Sequence, residues 1–204
     1  MAKAKRDWLL VTVSTPGGRN SSERVYAWRA LRRLGSLYLH QSVCLLPVSA
    51  ETTAAIERLL DHLRGRGAHG EVLRIRLSDS EQEAAVIERF QAERSDEYHE
   101  VVERTKQFHE ELEYERGRGR VTYPEYEESE ADLIRHRKWL AAIEARDYFN
   151  APGHHEAVAA VKACESALAS FEASALAAEF EDEPDRSGSP GLRMIDGGAG
   201  GASA

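Results

Sequence analysis

The chain has 204 residues, of which 42% are hydrophobic and two are cysteines, and it carries a formal net charge of −8. That length accommodates one ordinary domain with a helical extension, or two small domains. Two cysteines, Cys44 and Cys164, exclude a disulfide framework, and no apolar run approaches the roughly 20 residues that a membrane span needs.

The charge is divided. Residues 1–77 hold 13 Lys plus Arg against 6 Asp plus Glu, a balance of +7, and residues 78–204 hold 14 against 29, a balance of −15. Such asymmetry fits a polyanion-facing surface, mutual docking of the two halves, or acidic helices that are simply solvated. The N-terminus MAKAKRDWLL is basic but has no apolar core followed by a small-residue cleavage site, so a soluble, cytoplasmic protein is expected.

Residues 8–13 (WLLVTV) are apolar except for Thr12, the pattern of a strand buried on at least one face. They run into Ser14, Thr15, Pro16, Gly17 and Gly18, a strand-to-helix turn. Ser21 or Ser22 caps a helix predicted over 22–34, with Val25, Trp28 and Leu31 as its apolar stripe and Gly35 as its end. Residues 37–48 (LYLHQSVCLLPV) are rich in β-formers but interrupted by His40, Gln41 and Ser42. They predict two short strands in tight succession, or one bent strand, stopped by Pro47. Ser49 caps the next helix, where Ile56, Leu59, Leu60 and Leu63 follow helical spacing. After the turn RGRGAHG, residues 71–77 alternate apolar Val72, Leu73, Ile75 and Leu77 with Arg74 and Arg76, as a strand with one wet face does. The order β, α, β, β, α, β predicts an α+β fold with a ferredoxin-like βαββαβ unit over residues 1–79.

From Ser80 the periodicity is helical. Ser80 with Glu83 forms a capping box, and Val86, Ile87, Phe90, Tyr98, Val101, Val102, Thr105, Phe108 and Leu112 trace a stripe with a predicted break near Ser95. Gly117 and Gly119 end this helix, and RGRGRVTYP is a loop closed by Pro124. A helix over about 126–148 carries Leu133, Ile134, Trp139, Leu140 and Ile143. Another, starting near Pro152, carries Val158, Val161, Cys164, Leu168, Phe171, Ala175 and Leu176. Their alternating spacings of three and four predict an antiparallel helical hairpin inside an all-helical extension over 80–180. Residues 181–204, rich in Pro, Gly, Ser and Asp, predict a disordered tail.

Two places carry candidate binding chemistry. Arg24, Arg29, Arg32 and Arg33 cluster on the first helix, where guanidinium groups engage phosphates through forked, charge-assisted hydrogen bonds. They are the candidate nucleic-acid-binding residues; a solvated helix face, or a face paired with the acidic half, is the competing account. Gly17, Gly18, Arg19, Ser21 and Ser22 have the outline of an oxyanion site at a helix N-terminus, but lack both GxGxxG and a GK[ST] ending. Elsewhere the chemistry is sparse. The eight histidines include no HExxH, His154 and His155 are adjacent, and Glu110, Glu111, Glu113 and Glu115 read as a solvated face. No GxSxG is present and neither cysteine has a local base signature, so no catalytic residue, metal or cofactor is predicted. Both cysteines read as small core residues. Arg146 and Asp147 read as a buried ion pair fixing the turn between the last two helices.

The segments DWLLVTVSTP, RVYAWRALRRLG, LYLHQSVCLLP and RHRKWLAAIEARDYF resemble the N-terminal domain of ChrB, the chromate resistance regulator, over about residues 7–178. The front part is also similar to the ferredoxin-like module of PaaX-type repressors and of small CRISPR-associated endoribonucleases, for which HQSV is the most suggestive match. Two departures matter. ChrB proteins usually continue into a second, chromate-associated domain, and PaaX-type repressors place a winged helix before the module. The nuclease relatives have an aspartate near the end of the first strand, where this chain has Ser14 and Thr15.

The resemblance implies a non-enzymatic transcriptional regulator of chromate resistance acting on promoter DNA. Expected partners are a homo-oligomeric copy or a chain supplying the second ChrB-type domain. The alternatives are a protein-interaction or dimerisation module without direct DNA contact, and a metal-dependent ribonuclease. For chromate itself, a tetrahedral dianion, the turn with Arg19 is preferred over the loop with Arg116, Arg118 and Arg120, and the chain alone is expected to bind it weakly or not at all.

Overall fold

A computed structural model of the protein describes residues 6–14, 22–119 and 121–181, with side chains as far as 177. Four strands, β1 (Trp8–Ser14), β2 (Leu37–His40), β3 (Val43–Pro47) and β4 (His69–Ile75), form one sheet in the order β2-β3-β1-β4. Every neighbouring pair is antiparallel. Of the two readings of residues 37–48, two short strands or one bent strand, the first is present: β2 and β3 pair as a hairpin around Gln41 and Ser42, with a register irregularity between Tyr38 and His40. Two helices, α1 (Ser22–Arg33) and α2 (Ala50–Arg64), alternate with the strands. The start of α2 is fixed as its sequence implies: Ser49 accepts from the Thr52 amide at 3.1 Å, and the Ser49 amide donates to the Thr52 hydroxyl at 2.9 Å.

The period-2 pattern of β1 sends its side chains to two different cores. Leu9 and Val11 pack with Ala27 and Leu31 of α1 and with Ile56, Leu59, Leu60 and Leu63 of α2. Trp8, with Leu37 and Leu45, points to the other face. That face is covered by α3 (Ser80–Gly117), through Val86 and Phe90. Trp8 stacks on Phe90 with ring centroids 5.8 Å apart, and Phe149 closes the cluster at 5.8 Å from Trp8 and 5.2 Å from Phe90. Both faces of the sheet are therefore occupied by helices.

Beyond Phe90, α3 enters a second core with α4 (Tyr123–Glu144) and α5 (His154–Glu181), built on Tyr98, Val101, Phe108, Leu133, Ile143, Val161, Cys164 and Phe171. The pairs His154–Glu144 and Arg137–Glu165 run in opposite senses along α4 and α5, as an antiparallel hairpin requires. Among the described residues the architecture is thus mixed α+β: a four-stranded antiparallel sheet and five helices.

Several local expectations are corrected. There is no break near Ser95; α3 runs unbroken for 38 residues because buried Arg94 occupies the stripe position between Phe90 and Tyr98. Its N-cap is Asp79, which accepts from the Gln82 amide at 2.7 Å, rather than Ser80. Pro124 does not close the preceding loop but sits in the first turn of α4, where its missing N–H costs nothing, and α5 begins at His154, after Pro152. In α1 the buried residues are Ala27 and Leu31, while Val25 and Trp28 face outward. Residues 182–204, predicted as a disordered tail, lie outside the described residues.

Candidate nucleic-acid interface

The helix α1 lies on the sheet through small Ala27 and through Leu31, which leaves most of its circumference in solvent. Arg24, Arg29, Arg32 and Arg33 are all exposed. At about 3.6 residues per turn, Arg29 and Arg33 stack one turn apart on the outer face, and Arg24, Trp28 and Arg32 form a neighbouring row. The Arg32 guanidinium lies over the Trp28 indole, 5.1 Å from its centroid, the geometry of a cation–π contact. Tyr26, on the side toward α2, stacks on His62 at 4.1 Å.

Beside this row runs a groove of about 540 Å³ between α1 and the hairpin of β2 and β3. Trp28 and Leu31 form its helical wall, Val13 and Ser14 its floor, and Tyr38, Gln41 and Ser42 its far wall, with Arg24 at the rim. Tyr38 is half-buried, and burial pushes its phenol up to about 12, so it presents a neutral O–H. The sign of the surroundings is positive. Arg89 of α3 donates to the Tyr38 carbonyl at 3.0 Å, and burial raises the Glu93 carboxyl despite Arg94, Arg32 and Arg89 nearby. Trp28, assigned to the core from its spacing, is 46% exposed. The signal that identifies it is its place between Arg24 and Arg32, one turn from each.

Of the candidate anion site, Gly17, Gly18, Arg19 and Ser21 lie outside the described residues, and Ser22 is the exposed first residue of α1. In the alternative arginine loop, two of the three arginines are described. Arg116 pairs with Glu113 at 2.9 Å and lies over Phe171, Arg118 donates to the Tyr114 hydroxyl at 2.9 Å, and Arg120 is outside the described residues.

The Arg146–Asp147 pair expected at the helical turn is replaced by two separate assemblies. Arg146 reaches Glu97 at 2.9 Å, and Glu97 in turn lies 2.7 Å from Arg94, whose side chain is only 7% exposed. Asp147 accepts from the Tyr98 hydroxyl at 3.2 Å and from the Ala151 amide at 3.0 Å. Tyr148 donates to the Leu34 carbonyl at 2.6 Å, past the end of α1. The Tyr148 bond ties the α4–α5 turn to the end of α1, and the other contacts fasten the turn to α3 and to itself.

Both cysteines are buried, and burial pushes each thiol up to about 11. Among the described residues no group of three or more His, Cys, Asp and Glu is placed to hold a metal ion. No described helix is long and apolar enough to cross a membrane.

The family model described as Protein ChrB, N-terminal, matches residues 24–182. The chain belongs to that family. Membership ties this ChrB-type domain to chromate resistance and covers α1 through α5, including the arginine helix and the turn at Arg146. The match bears on ChrB and says nothing of PaaX-type repressors. No curated protein and no solved structure matches the chain.

Proposed function

We propose that this ChrB-type domain is a non-enzymatic transcriptional regulator in chromate resistance that contacts promoter DNA through the outer face of α1. The observation that carries the reading is the exposed set Arg29, Arg32 and Arg33, which form no ion pair with the acidic helices among the described residues of a chain whose net charge is −8. A polyanion is the partner such a surface attracts, because each phosphate neutralised releases condensed counterions. We also assign the front unit to the ferredoxin-like class, on the strength of the β2-β3-β1-β4 order, which places β3 between β1 and β2 as a split βαβ unit does. The ribonuclease alternative is disfavoured because β1 ends on Ser14, which offers no carboxylate to a divalent cation.

The test is binding of a chromate-operon promoter fragment across salt concentrations, by wild type and by Arg29→Ala/Arg33→Ala. Affinity should fall steeply with salt, and the double variant should flatten the log–log slope by about two if each arginine holds one phosphate. Absence of binding even at low salt would remove DNA contact from the reading.

One observation favours a second role. The edge strand β4 leaves Leu73 54% exposed, so a second copy could extend the sheet there. Light scattering decides this: a monomer at working concentration counts against it.

A further inference from the structure

The arginine face of α1 explains attraction to a phosphate backbone but not the groove beside it. A duplex offers bases only edge-on, within its grooves, whereas the groove here is concave and the Trp28 indole lines one wall. Trp28 is the one tryptophan with a large exposed surface: Trp8 is fully buried, and Trp139 packs against the helical core. Exposing an indole costs apolar burial, yet Trp28 is held in place by the guanidinium of Arg32. The opposite wall supplies hydrogen-bonding groups rather than apolar ones, the Tyr38 phenol and the Gln41 and Ser42 side chains at the hairpin tip. An aromatic platform, polar groups facing it across a cleft, and arginines along the rim are what an unstacked base and its phosphates require. The faces of the sheet cannot serve this purpose, since helices cover both.

We infer that the groove between α1 and the β2–β3 hairpin binds single-stranded DNA, stacking one unpaired base on Trp28 while Arg29 and Arg33 track the flanking phosphates. The inference rests on the DNA-contacting reading above and narrows it to an unpaired stretch. Charge complementarity selects the occupant. Arg32 lies over Trp28 on one wall, Arg89 donates to the Tyr38 carbonyl behind the other, and no carboxylate lines the cleft among the described residues.

The experiment uses the full chain with a ~12-nucleotide DNA strand, its duplex, and RNA of the same sequence, at one low salt concentration. Binding is followed by anisotropy of the labelled oligonucleotide and by tryptophan fluorescence. Single-stranded DNA should quench tryptophan emission, Trp28→Ala should weaken its binding about 10-fold with little effect on the duplex, and Trp28→Phe should recover most of the loss. Because Trp28 is exposed, both variants should keep the wild-type unfolding midpoint. Equal single-strand affinity in wild type and Trp28→Ala overturns the inference, as does an equal loss of duplex binding in that variant. Tighter binding of RNA overturns the choice of DNA. Binding of duplex without single strand overturns the groove assignment and leaves the regulator reading standing, whereas failure of all three probes overturns both.

Discussion

Two glycines end helices by the same device and differ only in what surrounds them, which makes them a controlled experiment on how the two cores are joined. After α1, the Gly35 amide donates to the Arg32 carbonyl at 2.9 Å and the Ser36 amide to Leu31 at 3.1 Å. After α2, the Gly67 amide donates to Arg64 at 3.2 Å and the Ala68 amide to Leu63 at 3.0 Å. Both are Schellman motifs, and both glycines are left-handed, with φ of +67° and +73°. An alanine at either site carries the left-handed penalty of roughly 1–2 kcal/mol. At Gly67 nothing lies within 4 Å of a new Cβ. At Gly35 the same atom would stand 2.8 Å from the Arg146 Cβ and 2.9 Å from the Arg94 Nη1. The first of these cannot yield by rotating a side chain, so α1 must move away from the α4–α5 turn. Overpacking of this kind costs about 1–3 kcal/mol. Gly67→Ala should therefore lose about 1–2 kcal/mol, and Gly35→Ala about 2–5 kcal/mol. Urea unfolding at equilibrium measures both, with the m-value checked for two-state behaviour. Losses equal within about 0.5 kcal/mol would refute the claim that α1 is seated against Arg94 and Arg146.

Further outcomes follow from the same contacts. Glu97→Ala leaves the buried Arg94 guanidinium short of its nearest carboxylate and should cost about 3 kcal/mol, a loss that rising salt does not mask as it would for a surface pair. Burial, with Arg135 and Arg104 nearby, holds His136 below its ordinary pKa, so the unfolded chain takes up that proton before the folded one does. The contribution of His136 should be complete above about pH 6.5 and decline as pH falls below it, and His136→Phe should reduce the pH dependence of the urea midpoint between about pH 7.5 and 5.5. Cys44 and Cys164, both buried with raised thiol pKa, should resist a thiol reagent in the native state and react only on unfolding. Rapid labelling of native protein would overturn that assignment.

What the sequence could show followed from how cleanly a pattern reports one environment. The strands were legible because Trp8 to Val13 and Val43 to Leu46 are apolar on both faces, each face meeting a core, and α2 was legible because Ile56, Leu59, Leu60 and Leu63 answer to a single core. The stripe of α3 was legible at Val86, Phe90, Tyr98, Val101, Val102, Thr105, Phe108 and Leu112, yet its continuity was not. The residue that bridges the two cores is an arginine, and its burial depends on Glu97, Arg146 and the end of α1, all distant from it in sequence or hidden by helix register. The same cause misplaced Trp28. A tryptophan three residues from Leu31 fits an apolar stripe, and only the docking of α1 through Ala27 turns it outward.

The position of the acidic charge bears on which account of the divided sequence holds. Mutual docking of the halves would place the α1 arginines against α3, α4 or α5. The ion pair that joins the two parts lies elsewhere, where Arg6 approaches Glu83 at 4.0 Å at the start of α3, and the Arg146–Glu97 pair beside the end of α1 is internal to the helical part. Much of the remaining acidic charge is held locally, as in Glu103 with Lys106, Glu113 with Arg116, and Glu165 with Arg137. The acidic helices thus meet some of their own basic residues and leave Arg29 and Arg33 facing solvent, while Arg32 lies over Trp28 with Glu93 of α3 in its neighbourhood. A basic helix face turned away from a nearby acidic bundle directs a polyanion to one side of the molecule, since the bundle repels it from the other. Charge reversal on that bundle offers a check on this step: Glu110→Lys/Glu111→Lys, on an exposed stretch of α3 away from α1, should raise the affinity for non-cognate DNA and lessen the effect of Arg29→Ala/Arg33→Ala, because a second basic surface would then compete. If the double reversal changes neither, the acidic half plays no part in orienting the nucleic acid, and its charge serves solvation alone.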